Sequence, residues 1–232
     1  MDFGILFEAD NYRLYLDGLW VTFKLLLLSV SVGLVLSIGL SVLRVSRNRL
    51  VAGPVWLFTY VFRGTPALLQ LYLIYYGLSQ FDWIRASFAW TYLQDATFCA
   101  WLAFVLNTAA YTTEMLAGAI RATPHGEIEA AKSVGMSKWL MLRRVVLPSA
   151  LRRSLPAYSN EVIMMLHTTS LASTVTLLDV TAAADRLYST YYMPFEPFIA
   201  AAVIYLILTF ALVRLFKLAE NRWLAYLQPR KA

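Results

Sequence analysis

Charge is what this chain has little of: Lys, Arg, Asp and Glu together make up 15% of its 232 residues, against about 25% in a soluble domain. Cysteine is almost missing as well. Cys99 is the single one, so no intrachain disulfide can form, and its apolar surroundings point to a thiol packed as a small hydrophobe. The two histidines, His125 and His167, stand far apart and exclude a histidine-rich metal site. There is no Gly-x-x-x-x-Gly-Lys-Ser/Thr loop to cradle ATP phosphates, no His-Glu-x-x-His pair and no set of residues that reads as a nucleophile triad. An enzyme acting by metal, nucleotide or acyl chemistry is therefore not what the residues describe.

Hydrophobic residues fill the space, at 59% of the chain against about 45–50% in a soluble domain. They collect in blocks of about 20, the length a helix needs to cross a bilayer core. Five such blocks are expected to span: Val21 to Leu43, Pro54 to Leu78, Thr97 to Ile120, Leu155 to Leu178, and Phe198 to Phe216. The second and fourth are interrupted by polar residues. The segment Met1 to Asp17 is acidic, so the first block is expected to remain as an anchor. The fold expected is all-α, one transmembrane domain over residues 1–232.

The net charge of +6 is distributed by loop, which makes it a topology signal and not a nucleic-acid footprint. Arg44, Arg47 and Arg49 lie between blocks one and two. Arg121, Lys132, Lys138, Arg143, Arg144, Arg152 and Arg153 lie between blocks three and four, and Arg214, Lys217, Arg222, Arg230 and Lys231 at the C-terminal end. The alternate segments hold Arg13, Arg85 and Arg186 with the acids Asp2, Glu8, Asp10, Asp17, Asp82, Asp95, Asp179, Asp185 and Glu196. Five spans with the N-terminus outside and the C-terminus in the cytoplasm satisfy every segment. Tyr72, Tyr75, Tyr76, Trp83 and Trp90 then suit the outer interface. Ser29, Gly33, Ser37 and Ser41 recur every fourth residue, a face that admits a close neighbouring helix.

The cytoplasmic connection of about residues 121–153 is long for a chain this small. Pro124 suits a helix start, acids follow in the first turn, and Gly135 suits its end. A second helix is expected from Ser137 to Val146, with Trp139, Leu142, Val145 and Val146 on one face and Leu147-Pro148 ending it. A short helix of small residues can lie in a groove of another protein, or rest on lipid headgroups. Spacing alone leaves both open.

The pattern Glu129-Ala130-Ala131, three residues, Gly135, nine residues, Val145, one residue, Leu147-Pro148 resembles the EAA signature of ABC importer permeases, with Val145 where the family usually has isoleucine. Arg63-Gly64-Thr65-Pro66 with Leu68-Leu69-Gln70-Leu71 is similar to a segment of the polar amino acid permeases. Asn107 to Glu114, Pro124 to Glu127 and Pro156 to His167 look like the M-type permeases of histidine and lysine/arginine/ornithine importers. The resemblance covers almost the whole chain and is weakest from Gln80 to Asp95.

It implies a type I importer permease of the bacterial inner membrane, working by alternating access. It implies a Q-type second permease subunit, a periplasmic amino acid-binding protein and an ABC ATPase dimer, which would carry the ATP and Mg2+. No cofactor is expected on this chain. Glu129, Ala130, Ala131 and Gly135, with Leu147 and Pro148, would form the coupling segment that meets the ATPase. Five spans do not enclose a pore alone, so a dimer is expected.

Lys24, Arg63, Glu114 and Glu161 fall inside the blocks, where a charge facing lipid costs about 2.5–3.5 kcal/mol or more. Lys24 lies near a span end and can snorkel. An internal ion pair between Arg63 and one glutamate is one expectation. The other glutamate would face the pathway and attract the cationic end of a substrate, Glu161 in preference to Glu114. Met164, Met165 and Thr168 fall near its face, and Asn160, Thr169 and Ser170 could add hydrogen bonds. An ion-coupled secondary transporter or channel using both glutamates is the alternative. It leaves the 129–148 segment without a task.

Overall fold

A computed structural model describes residues 4–224, and its regular structure is entirely helical. Asp2, Arg230 and Lys231 lie outside the described residues. Helix α1 runs over Ala9–Arg44, well ahead of the expected start at Val21, because nothing in Ala9–Trp20 breaks a helix. Helix α2 is Arg49–Gly64, started by the Asn48 side chain accepting from Leu50 N at 3.0 Å. Helix α3, Ala67–Tyr72, runs on through a π turn over Leu73–Gly77. Two short helices, α4 (Asp82–Arg85) and α5 (Trp90–Leu93), lead to α6, Ala96–Arg121. Helices α7 (His125–Ser133) and α8 (Lys138–Met141) precede α9 (Leu147–Thr168), α10 (Val180–Tyr191) and α11 (Phe195–Trp223).

Helix α6 is the axis of the bundle, with α1, α2, α3 and α9 packed against it. Ser29, Gly33, Ser37 and Ser41 are all buried on α1. A methyl added at Gly33 would sit 2.4 Å from Thr108 Cγ2 on α6, so the glycine is required by closeness of approach. One apolar core joins Leu25, Leu26, Leu71, Phe104, Met165 and Leu166. A second joins Tyr15, Val180, Ala184 and Leu187 at the other end of α1. Cys99 is fully buried, its thiol directed at the Leu93 carbonyl at 3.2 Å.

Among the described residues two helices, α1 and α11, are long and apolar enough to cross a membrane. A third crossing follows if Lys138–Val175 and Val180–Tyr191, bent by 46° at their junction, form one span. The expected second span is not continuous. Thr65 and Pro66 are extended (φ −118°, ψ 145°; φ −62°, ψ 137°), since proline lacks a donor and pushes its predecessor out of the helical region. Helix α6 is long enough, but Asn107, Thr108, Thr112, Thr113 and Glu114 dilute its apolar character.

Candidate functional site

The cleft between α2, α3, α6 and α9 holds about 220 Å³ and is lined by Thr65, Pro66, Asn107, Tyr111, Glu161 and Met164, with Ala67, Met165 and Thr168 completing it. It exists because the helix breaks at Thr65–Pro66. The break frees backbone carbonyls, and Gln70 satisfies them: its Nε2 donates to the Phe62 carbonyl at 2.8 Å and the Thr65 carbonyl at 3.0 Å. Asn107 Nδ2 donates in turn to Gln70 Oε1 at 3.0 Å, tying the broken backbone to α6. Non-helical backbone at membrane depth is tolerated where it is satisfied and lines a cavity.

Glu161 is half-buried on the α9 side of this cleft. Among the described residues no cation reaches it at ion-pair distance. The Thr108 hydroxyl and the more distant Arg63 charge are its electrostatic surroundings. Arg63 is exposed beside the cleft, its guanidinium 5.5 Å from the Tyr111 ring centre, and the Tyr111 hydroxyl donates to the Arg63 carbonyl at 3.3 Å. Met164 and Thr168 lie one and two turns on from Glu161, as their spacing requires.

Two expectations are corrected here. Glu114 is not in the cleft and does not pair with Arg63. It pairs with Arg44, at the end of α1, and accepts from Thr59 Oγ1 at 2.8 Å. Arg44 wins because the close α1–α6 packing brings its guanidinium alongside Glu114, while Arg63 is turned out over Tyr111. Asn160 is exposed and lines none of the cleft, since it sits about 100° around α9 from Glu161. Lys24 lies four turns inside α1, because the helix extends beyond the expected span, and its ammonium is 5.9 Å from the Trp20 ring centre.

The segment 121–153 folds as a helix, a turn and a second short helix. Helix α7 starts after Pro124 and ends in a left-handed Gly135 (φ +75°). Met136 N donates to the Ala131 carbonyl at 3.1 Å and Gly135 N to the Lys132 carbonyl at 2.9 Å, which is the Schellman arrangement. Glu129 and Ala130 are exposed, whereas Ala131 is turned inward and is 4% exposed. Ala131 therefore seats the helix against its own chain instead of presenting it to another.

Leu147-Pro148 does not end the second helix. A π turn over Leu142–Val146, closed by Leu147 N donating to the Leu142 carbonyl, carries α8 directly into α9. The wider turn moves the preceding carbonyls away from the proline ring. Of the face expected for this helix, Val146 is buried but Trp139 is 67% exposed.

Arg153 was legible only as a loop charge, yet it braces this segment. Its Nη1 donates to Ser149 Oγ at 2.6 Å and lies 3.6 Å from Glu127 of α7. Its Nη2 donates to the Ala119 carbonyl and the Thr123 hydroxyl, both at 3.1 Å. The guanidinium thus joins α6, α7 and α9. Gln70, Arg44 and Thr59 were also missed as interacting residues. Nothing in local spacing announces a bond between α1 and α6.

The chain as a whole is similar to known transport proteins. Residues 21–224 match the family model described as "Binding-protein-dependent transport system inner membrane component". The histidine/lysine/arginine/ornithine transport system permease protein HisM of Escherichia coli (strain K12) is 48% identical over 222 residues, spanning 95% of this chain and 92% of that protein. The octopine transport system permease protein OccM of Rhizobium radiobacter is 47% identical over 220 residues, spanning 95% and 90%. A solved amino acid ABC transporter, crystallised with histidines, superposes with a TM-score of 0.84 at 32% identity, covering 96% of this chain and 99% of that one.

Proposed function

The chain belongs to the family of inner membrane components of binding-protein-dependent transport systems, and from that premise we propose that it is the membrane-spanning subunit of an ATP-driven importer of polar, cationic L-amino acids. The permeases named for histidine, lysine, arginine, ornithine and octopine support this substrate class, because each of these substrates carries a basic nitrogen beside its α-amino acid group. Glu161, in a small cleft with a hydrogen-bonding Asn107 and adaptable Met164 and Met165, is the group suited to that cationic end.

One observation carries the reading: α6 and α9 wall the cleft and also hold the 121–153 segment through Arg153. Arg153 and Glu161 are two turns apart, about 12 Å along α9. A displacement of α7 is thereby passed to the wall carrying Glu161. In this reading α7 is the coupling helix, Glu129 and Ala130 meet an ABC ATPase dimer, and ATP and Mg2+ are bound there. A second, Q-type permease subunit completes the pathway, and a periplasmic binding protein delivers the amino acid.

The chain crosses the inner membrane five times, with α7 and the C-terminus in the cytoplasm. The placement of basic residues supports that orientation. In this reading the broken α2–α3 and the polar α6 count as crossings, because the carbonyls freed at the break are satisfied inside the protein by Gln70, itself held by Asn107 of α6. The test is ATP-dependent uptake of radiolabelled histidine and arginine in proteoliposomes holding the whole complex with its binding protein. Glu129→Lys is expected to abolish uptake and release the ATPase. Wild-type uptake and an intact complex in that variant would overturn the assignment of α7, and wild-type uptake without ATP would overturn the importer.

A further inference from the structure

At the end of the bundle that carries the basic loops, two hollows share a wall. The first is a groove of about 440 Å³ where α1, α6, α9 and α11 meet, bounded by Leu34, Met115, Leu155, Leu215 and Phe216. Its two hydroxyls are already engaged: Ser154 donates to the Leu151 carbonyl at 3.0 Å and Tyr158 to the Val30 carbonyl at 3.3 Å. Hydrocarbon is what such a surface takes. The second hollow, about 510 Å³, is lined by Pro148, Leu151, Arg152, Arg222 and Trp223. Leu151 and Trp223 belong to both.

Arg152 and Arg222 are exposed, and among the described residues neither has an acidic partner. Arg153, next in sequence, by contrast has both terminal nitrogens committed to the brace. Trp223, 56% exposed between the two hollows, suits the headgroup level of a bilayer. A free inorganic anion would satisfy the arginines and leave the groove empty. A neutral lipid or an apolar helix would fill the groove and leave two guanidinium groups unmatched. One amphiphile with an anionic head and hydrocarbon chains answers both.

We propose that the joined hollows bind one anionic phospholipid, its phosphate between Arg152 and Arg222 and an acyl chain in the groove between α1, α6, α9 and α11. The leaflet is the cytoplasmic one, which rests on the orientation given above; the site itself does not depend on the transported substrate. Basic pockets between membrane helices recognise phosphate headgroups in this way. The lipid would lie one residue from Arg153 and so beside the brace of the coupling segment.

The test is native mass spectrometry of the assembled importer, moved from phosphatidylcholine nanodiscs carrying increasing phosphatidylglycerol. The expected result is one retained phosphatidylglycerol per copy of this chain. The double variant Arg152→Gln, Arg222→Gln should need about thirtyfold more lipid for the same retention, two basic contacts being lost. Arg152→Lys with Arg222→Lys should retain most of it, and Ala219→Trp, which fills the groove from a lining alanine of α11, should lose it with both arginines present. Should the glutamine pair fail to assemble, the lysine pair against Ala219→Trp decides. Equal retention of phosphatidylcholine, undiminished retention in Ala219→Trp, or displacement by millimolar inorganic phosphate would overturn the proposal. So would cross-linking of Leu215 to a second subunit. None of these readings depends on uptake, so failure of the importer assignment would show separately.

Discussion

Glu114 on α6 has its carboxylate held by the Arg44 guanidinium and the Thr59 hydroxyl, bonded to residues from α1 and α2. Glu161 on α9 opens onto a cleft whose other walls are neutral. Both are single carboxylates in largely apolar helices, and both would cost several kcal/mol facing lipid. The fold answers that cost in two ways. One glutamate is supplied with its own cation, and the pair fastens three helices. The other has none at ion-pair distance among the described residues, and on the proposed function its field is left for the cationic end of a substrate. On that reading a built-in partner marks a fastening, and a missing one beside a cavity is where binding is to be tested.

The largest effect expected from this contrast is on stability. Glu114→Ala leaves the Arg44 charge enclosed and unpaired and should cost about 3 kcal/mol, whereas Glu161→Ala should cost under about 1 kcal/mol. Thermal unfolding of the purified complex measures both, and equal losses would end the distinction. Next comes substrate affinity. Glu161→Gln keeps the shape of the side chain and should raise KM for arginine about tenfold, some 1.4 kcal/mol, with little change for a neutral amino acid. An equal loss for both substrates would make Glu161 a structural group. The smallest effect belongs to Thr59→Val, which removes one hydrogen bond to the Glu114 carboxylate and should cost about 1 kcal/mol with KM unchanged. A change in KM there would mean that the Glu114 site also touches the pathway.

What could be read from residues follows the range of the interactions. The four-residue stripe Ser29 to Ser41 and the start and stop of α7 depend on neighbours within a turn or two, and the structure keeps them. Met164 and Thr168 join Glu161 because helical period alone puts them there. The Thr65–Pro66 break was present in the letters as a proline, but whether a proline kinks or parts a helix depends on what satisfies the freed carbonyls. That group is Gln70, held by Asn107 from another helix. The partner of Glu114 was misjudged for the same reason. Arg44 and Glu114 are 70 residues apart, and only the tight packing at Gly33 and Thr108 brings their helices together. Arg153 looked like one more basic loop residue because its role is defined by three helices that converge in space.

The π turn at Leu142–Val146 has a mechanical meaning. With it, α8 and α9 become one rod from Lys138 to Thr168, about 45 Å long. A joint made of loop would absorb a small push at one end as local bending. A continuous helix is a lever, pinned to α6 near its middle by Arg153, and on the proposed function a push on the arm before the pin would be passed to the equally long arm bearing Glu161. The extra residue in the wide turn also sets the rotational phase of one arm against the other. Deleting it would turn the two arms by about 100° and leave both intact but aimed apart.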